Sequence, residues 1–333
     1  MKIAYSCNGE GFGHVSRLAT LLPHLEESHQ VGLFLPRSVV AFLTGKVGPR
    51  PSVPIPGLHF VHRGDRILAK ESFLKGLPVA LAFPFTVARL ARKLRADGYQ
   101  AVICDFEPHL AWAGKLAGLP VFQLNHPGIM TRVRDHGLLP WLSALGARMM
   151  EGPWDERILV SFFQGDVGPL LRPALRRREP RNRGTIVVNL KPSYRAPVLE
   201  VLARYPGWKW RVFPAPGQNF DTALLDCTAV ISPAGHQVLA EALALGKPIL
   251  ALPQEGQPEQ HLNAVKLLAT GRGRIGSLAT FERDLAAFLA DLPRLRKAGP
   301  LPAGYNLQDG TPALLSRLER FLTAKAPAVR TAV

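Results

Sequence analysis

The sequence predicts two tandem, doubly wound α/β domains facing a cleft. Three observations predict it. The chain has 333 residues, too many for one ordinary core and suited to two domains of roughly 150 residues each. Short apolar runs rich in β-formers alternate with stretches of helical period, and this alternation occurs twice. Between the two lies LLRPALRRREPRNRG, residues 170–184, rich in Arg and Pro and weakly periodic, as a linker is.

Taken in order, KIAYSC (2–7) is a first strand and residues 14–25 have helical spacing. VGLFL (31–35) and LHFVH (58–62) read as the second and third strands. Residues 79–96 carry Arg89, Arg92, Lys93 and Arg95 on a helix-like period. AVICDF (101–106) is a strand, 108–117 a helix, and VFQLN (121–125) a strand. The second alternation begins at TIVVNL (185–190). It continues through a helix at 195–204, WKWRVF (208–213), AVIS (229–232) and a helix at 235–245 to PILALP (248–253). Strand–helix–strand order implies parallel sheets covered by helices on both faces. The expected divisions are a first domain at 1–165, a linker at 166–184, a second domain at 185–310, and a helix and tail at 311–333 that pack back on the first domain. Ligands of such sheets sit outside the carboxyl ends of the strands, which here means the cleft.

Hydrophobic residues make up 47% of the chain, enough for two buried cores. Cys7, Cys104 and Cys227 are far apart in no ligand pattern and read as buried thiols in a reducing compartment. The N-terminus lacks the apolar stretch of a signal peptide, and no run of about 18 apolar residues is present. The expected location is the cytoplasm. The net charge of +16 favours phosphates, nucleic acid or an anionic membrane. With no zinc-finger spacing and no aromatic RNA-binding signature, nucleic acid is not expected as a partner. The remaining alternative for the charge is a solvated, arginine-rich surface.

CNGEGFGHVSR (7–17) follows the first strand. A dinucleotide fingerprint needs G-x-G-x-x-G and an acid at the end of the second strand. Here the spacing is G-x-G-x-G-H, and the second strand ends in Pro36 and Arg37. Gly9, Gly11 and Gly13 then serve close backbone approach at a strand-to-helix turn. His14 sits at the helix start, as a base facing a hydroxyl or as a helix residue bonded to a local carbonyl. Asp105 and Glu107, ending a first-domain strand, are further candidate bases or helix-capping acids. His126, after VFQLN, lines an acceptor pocket or packs.

A second signal is SPAGHQVLAEALALGKPILALPQEGQPEQHLNAVKL, 232–267. A strand ends at Ser232, Pro233-Ala234-Gly235 turns, and a helix begins near His236 and Gln237. Its free N–H groups suit a pyrophosphate, and Glu241, about two turns on, reaches a ribose. The loop carrying Gln254, Glu255, Glu259 and Gln260 offers carboxylates and amides to sugar hydroxyls. Taken singly, each of these residues also fits a solvated loop or cap.

Together these stretches resemble GT-B glycosyltransferases of the superfamily that holds the lipid-linked N-acetylglucosaminyltransferase of peptidoglycan synthesis and the UDP-glucuronosyltransferase-like enzymes. The likeness is greater still to uncharacterised bacterial and archaeal relatives that open with G-x-G-x-G-H-x-x-R, matched by Gly9 to Arg17. Those relatives carry a segment like 102–127, then E-A-L-x-L-G-K-P and E-Q-x-x-N-A, matched by Glu241–Pro248 and Glu259–Ala264. The resemblance implies two Rossmann-like domains, the first binding an acceptor and the second a nucleotide sugar. It implies His14 as the base, Glu241 on the ribose, Glu259 and Gln260 on the donor sugar, and Asn263 packing their loop. Pro233-Ala234-Gly235 replaces the usual Asn-Gly-Gly, Gln237 replaces a small hydroxyl residue, and Asn189-Leu190-Lys191-Pro192 lacks a glycine pair.

The implied reaction is inverting transfer of a hexose or N-acetylhexosamine from a nucleotide sugar, UDP-linked in the first instance, to an acceptor hydroxyl, with lipid-linked or cell-envelope acceptors among the candidates. No metal and no cofactor are expected. An epimerase or hydrolase of nucleotide sugars, or a non-catalytic sugar-nucleotide binder, would share the cleft. Residues 73–95 interleave Phe73, Leu74, Leu77, Phe83 and Phe85 with Lys75, Arg89, Arg92, Lys93 and Arg95. Such a segment suits an anionic membrane surface, with the protein peripheral on its inner face, or a helix packed under the first domain with a basic solvent side.

Overall fold

Apolar runs buried on both faces become the strands of two parallel sheets. The computed structural model describes residues 1–57, 61–63, 66–133 and 140–325. The first unit comprises β1 (Lys2–Cys7), α1 (Gly13–Glu26), β2 (Gln30–Leu35), α2 (Arg37–Val47), β3 (Ser52–Pro54), a small hairpin of β4 (His62–Arg63) and β5 (Arg66–Ile67), and α3 (Ala69–Ala96). It continues with β6 (Ala101–Asp105), α4 (Pro108–Ala117), β7 (Val121–Asn125), a 3₁₀ turn (Pro127–Thr131), α5 (Pro140–Glu151) and β8 (Glu156–Leu159). Six strands pair in the order β3-β2-β1-β6-β7-β8. After the short α6 (Pro173–Arg176) come β9 (Thr185–Asn189), α7 (Pro192–Leu202), β10 (Lys209–Phe213), α8 (Phe220–Asp226), β11 (Ala229–Pro233) and α9 (His236–Ala244). They are followed by β12 (Ile249–Leu252), α10 (Pro258–Ala269), β13 (Gly273–Ile275), α11 (Phe281–Arg296) and α12 (Thr311–Lys325). The second sheet has the order β10-β9-β11-β12-β13. The direction of winding reverses between β1 and β6 and between β9 and β11, and these crevices are where such sheets bind ligands.

Two expected elements differ. The third strand of the first sheet is Ser52–Pro54, paired with Leu33–Leu35. Of the expected 58–62 strand, residues 58–60 lie outside the described residues, and His62 pairs with Ile67 in the hairpin. The helix expected at 79–96 begins at Ala69 and runs through Pro78 and Pro84. A proline removes one helical hydrogen bond and reads as a stop, but the turns on either side continue.

The segments that join the units lie side by side. Gln164 N–H donates to the Gly304 carbonyl (2.7 Å), Asn306 N–H to Phe162 (3.0 Å) and Gly310 N–H to Pro169 (2.8 Å). Leu171 N–H donates to Asp309 Oδ1 at 3.1 Å. Gly168 and Gly310 sit so close that a Cβ on either would run into the opposite backbone. Beyond this pairing, α12 returns to the first unit. Its Leu314, Leu318, Phe321 and Leu322 are buried in one cluster with Ile3, Leu18 and Phe122. A separate cluster joins the units, with Ile129, Phe162 and Phe163 against Ala234, Leu239 and Leu262. The three cysteines are buried free thiols.

Candidate active site

Parallel register places Cys7 beside Asp105, so the loops leaving β1 and β6 emerge together. Gly11, at φ 72°, supplies the left-handed backbone that turns the chain into α1. His14 falls in the first turn of that helix, and Arg17, three residues on, shares its face. Both meet Asp105, the last residue of β6. His14 Nδ1 lies 2.6 Å from Asp105 Oδ1. Arg17 grips the same carboxylate, Nε to Oδ2 and Nη2 to Oδ1, both at 2.8 Å. Burial of Asp105 acts to raise its pKa, but the charges and hydrogen bonds of Arg17 and His14 win, and the group is held below the usual carboxylate range. An ionised Asp105 accepts only, so Nδ1 of a neutral His14 carries the proton and Nε2 is left to take one. Arg17 Nη2 is also 2.8 Å from Nδ1. With both as donors, that is a contact of two groups sharing one carboxylate.

Phe106 follows Asp105 with φ 56°, an uncommon conformation for a bulky side chain and one that gathers at functional sites. It is held by Gln123 Oε1, which accepts its N–H at 3.0 Å, and by Asn8 Nδ2, which donates to its carbonyl at 3.0 Å. Its ring lies parallel to His14 at 5.8 Å.

The second unit closes on this loop. Gly235 is the N-cap of α9, with no side-chain cap bond, so the helix start carries unsatisfied N–H groups and positive dipole. A Cβ placed on Gly13 would lie 3.9 Å from that of Gln237, so the glycine loop and this helix start adjoin. Asn263 on α10 donates from Nδ2 to the Ala234 carbonyl at 3.1 Å. Its Oδ1 is 2.8 Å from His126 Nε2. Glu259, in the first turn of α10, is raised by burial and lowered in part by His14 and Arg17, whose charges it feels. Lys191, after β9, is half-buried, bonded to Gln254 Oε1 and lowered by burial, with Glu10 of the glycine loop opposing.

Several side chains expected to face the cleft are engaged elsewhere. Glu241 is fully enclosed. Arg172 Nε donates to its Oε1 at 2.8 Å and Nη2 to its Oε2 at 2.5 Å, and Gln237 Nε2 donates to Oε1 at 2.8 Å. Gln237 also donates to the Leu170 carbonyl and so ties the units together. His236 does not present its ring to a phosphate. It stacks on His126 at 3.7 Å, and its Nε2 accepts the Phe162 N–H. Gln260 shapes its own loop, accepting from Gln254 N–H at 3.0 Å and donating to Gln257. Glu107 caps α4, taking the N–H groups of His109 and Leu110. Asp105, the other candidate base, is itself bonded to His14 and Arg17. The reason is common to all of them: a polar group shielded from water needs a protein partner. Sequence spacing locates these residues and does not show those partners. It misses the roles of Arg17, Lys191 and Phe106. Of the three, Arg17 alone carries a signal, its i+3 spacing from His14.

Two Rossmann-like units, each a parallel sheet covered by helices, form the GT-B fold. The chain belongs to glycosyl transferase family 1, whose family model matches residues 1–214 and 207–293. An uncharacterized glycosyltransferase of Methanosarcina mazei is 48% identical over 52 residues, 16% of this chain and only 14% of the relative's own length. MurG of Acinetobacter baumannii superposes with a TM-score of 0.55 at 15% identity, covering 96% of this chain and 99% of that one. UDP-GlcNAc 2-epimerase from Neisseria meningitidis, bound to UDP-GlcNAc, gives 0.56 at 11% identity, covering 96% and 100%. At such identities these two structures share the fold alone.

Proposed function

We propose that this glycosyltransferase is an inverting, metal-independent enzyme that transfers a hexose or N-acetylhexosamine from a nucleotide diphosphate sugar to an acceptor hydroxyl. The observation that carries the reading is the 2.6 Å bond from His14 Nδ1 to Asp105, which leaves Nε2 as general base. His14 removes the hydroxyl proton, the oxygen attacks the anomeric carbon, and the diphosphate leaves with the electron pair of the broken bond. The α9 N-terminus and Lys191 are placed to offset the charge of the leaving group. Glu259, in electrostatic contact with His14 and Arg17, fits a role on the donor sugar between the two units. Glu241 takes the ribose hydroxyls only if Arg172 yields an oxygen. UDP is the donor base to test first, because the epimerase of the same fold is bound to UDP-GlcNAc.

A thermal-shift screen across nucleotide sugars selects the donor, and turnover is then followed with that donor. His14→Ala is expected to lower turnover about 10²–10⁴-fold, the usual worth of a general base, with nucleotide affinity unchanged. Full turnover in the variant, or affinity falling in step with rate, removes His14 from the role. Epimerised donor in place of transferred sugar would favour the epimerase reading.

A further inference from the structure

We infer that the first unit docks on an anionic lipid bilayer through α3, α4 and α5, beside the acceptor side of the cleft. The inference deepens the proposed function, on whose assignment of the acceptor to the first unit it rests: it makes the acceptor a hydroxyl carried on a lipid.

The starting observation is that α3 has two apolar faces. Val87, Leu90, Ala91 and Leu94 are buried in one cluster with Ala4, Phe34 and Val102. Leu74, Leu77, Leu81 and Phe85 recur at helical spacing on the opposite side and are exposed, Leu81 by 69% and Phe85 by 78%. The most apolar stretch of this helix has a mean hydropathy of 1.4 and is only 12% buried, the reverse of a core helix. It does not cross a bilayer, because its last turns pack on the sheet.

Its position gives the second argument. Phe83 packs against His109, at the start of α4 and so at the carboxyl end of the sheet. The part of α3 before Phe83, from Ala69 to Ala82, therefore overhangs that end by about 20 Å at 1.5 Å per residue. The second helix over this end is α5, whose Glu151 accepts from Asn125 Nδ2 at the end of β7. It exposes Trp141, Leu142, Leu145 and Met149, and α4 exposes Trp112 and Leu116. Apolar side chains exposed together on three adjacent helices mark an interaction site, and tryptophans suit a lipid headgroup region.

Charge selects the occupant. On α3, Lys70, Lys75, Arg89, Arg92, Lys93 and Arg95 stand against one acid, Glu71. A second copy of this chain would bring the same positive face and be repelled, whereas an anionic bilayer complements it.

Sedimentation of the full chain with vesicles of phosphatidylglycerol and phosphatidylcholine, against pure phosphatidylcholine, tests this. Binding is expected to the anionic vesicles, to weaken with salt, and to fall about tenfold or more in Leu81→Glu/Phe85→Glu. Bromine-labelled lipid should quench Trp141, a loss that Trp141→Phe removes, and this reading does not depend on how the double variant folds. No binding by the wild type, equal binding by the variant, or a concentration-dependent dimer that the variant abolishes would each overturn the proposal. Nucleotide affinity, measured in parallel, reports separately on the proposed function.

Discussion

Glu241 and Arg172 form one buried unit with Asp221, to which Arg172 Nη1 also donates. Their burial changes what a substitution reports. From its place two turns into α9, Glu241 reads as a ribose ligand, and its loss would then act on nucleotide affinity alone. With the carboxylate enclosed, Glu241→Ala leaves a guanidinium buried and only half paired, and is expected to destabilise the fold by about 3 kcal/mol, in line with breaking a buried pair. Urea unfolding without nucleotide measures this; an unchanged midpoint would return Glu241 to a pure binding role. The same contrast governs the pair of His14 and Asp105. His14 and Asp105 are each legible in the sequence, one at a helix start and the other at a strand end. The bond between them is not, because the residues are 91 positions apart and only the pairing of β1 with β6 brings them together.

Elements are legible where their surroundings are uniform. β1, β6, β7, β11 and β12 are covered on both faces and read as apolar runs. The edge strand β8 begins Glu156-Arg157, both partly exposed, and carries no such signal. α3 reads too short because Pro78 marks a boundary in sequence, whereas the folded helix continues through it. α12 shows an element whose value lies in another unit: its Leu318 is fully buried beside residues from the start of the chain. Leu318→Ala should cost about 2–5 kcal/mol, as for other buried leucines. The loss should appear as earlier melting of the first unit, followed by hydrogen exchange of the β1 and β7 amides. If only amides of the second sheet lose protection, the helix belongs with that unit instead.

At the scale of the whole molecule, the units meet through uncharged rings. Burial, and then the positive charge of Arg17, pushes His126 down to about 3. Burial, His126 and Arg17 likewise hold His236 well below its ordinary value. Unfolded histidine titrates near 6.5, so between these limits the unfolded chain binds more protons. Stability is full above about pH 6.5 and drains away as pH falls toward 3, by about 2 kcal/mol for His126 alone between pH 7.5 and 5. Denaturation at the two pH values, repeated with His126→Gln, checks this: a variant with the same pH dependence would place its origin elsewhere. The paired segments between the units carry a mechanical consequence. A chain that crosses once makes a tether, about which a domain can swivel in any direction. Here the outgoing and returning segments are laced together at Phe162–Gln164 and Pro169–Leu171, against 304–310, and two glycines lock them at backbone contact. Two plies bound along one line would favour swinging about that line, as a door hinge does, over twisting, which would tear the lacing. An opening about that line would return Gly13 to the same partner on α9.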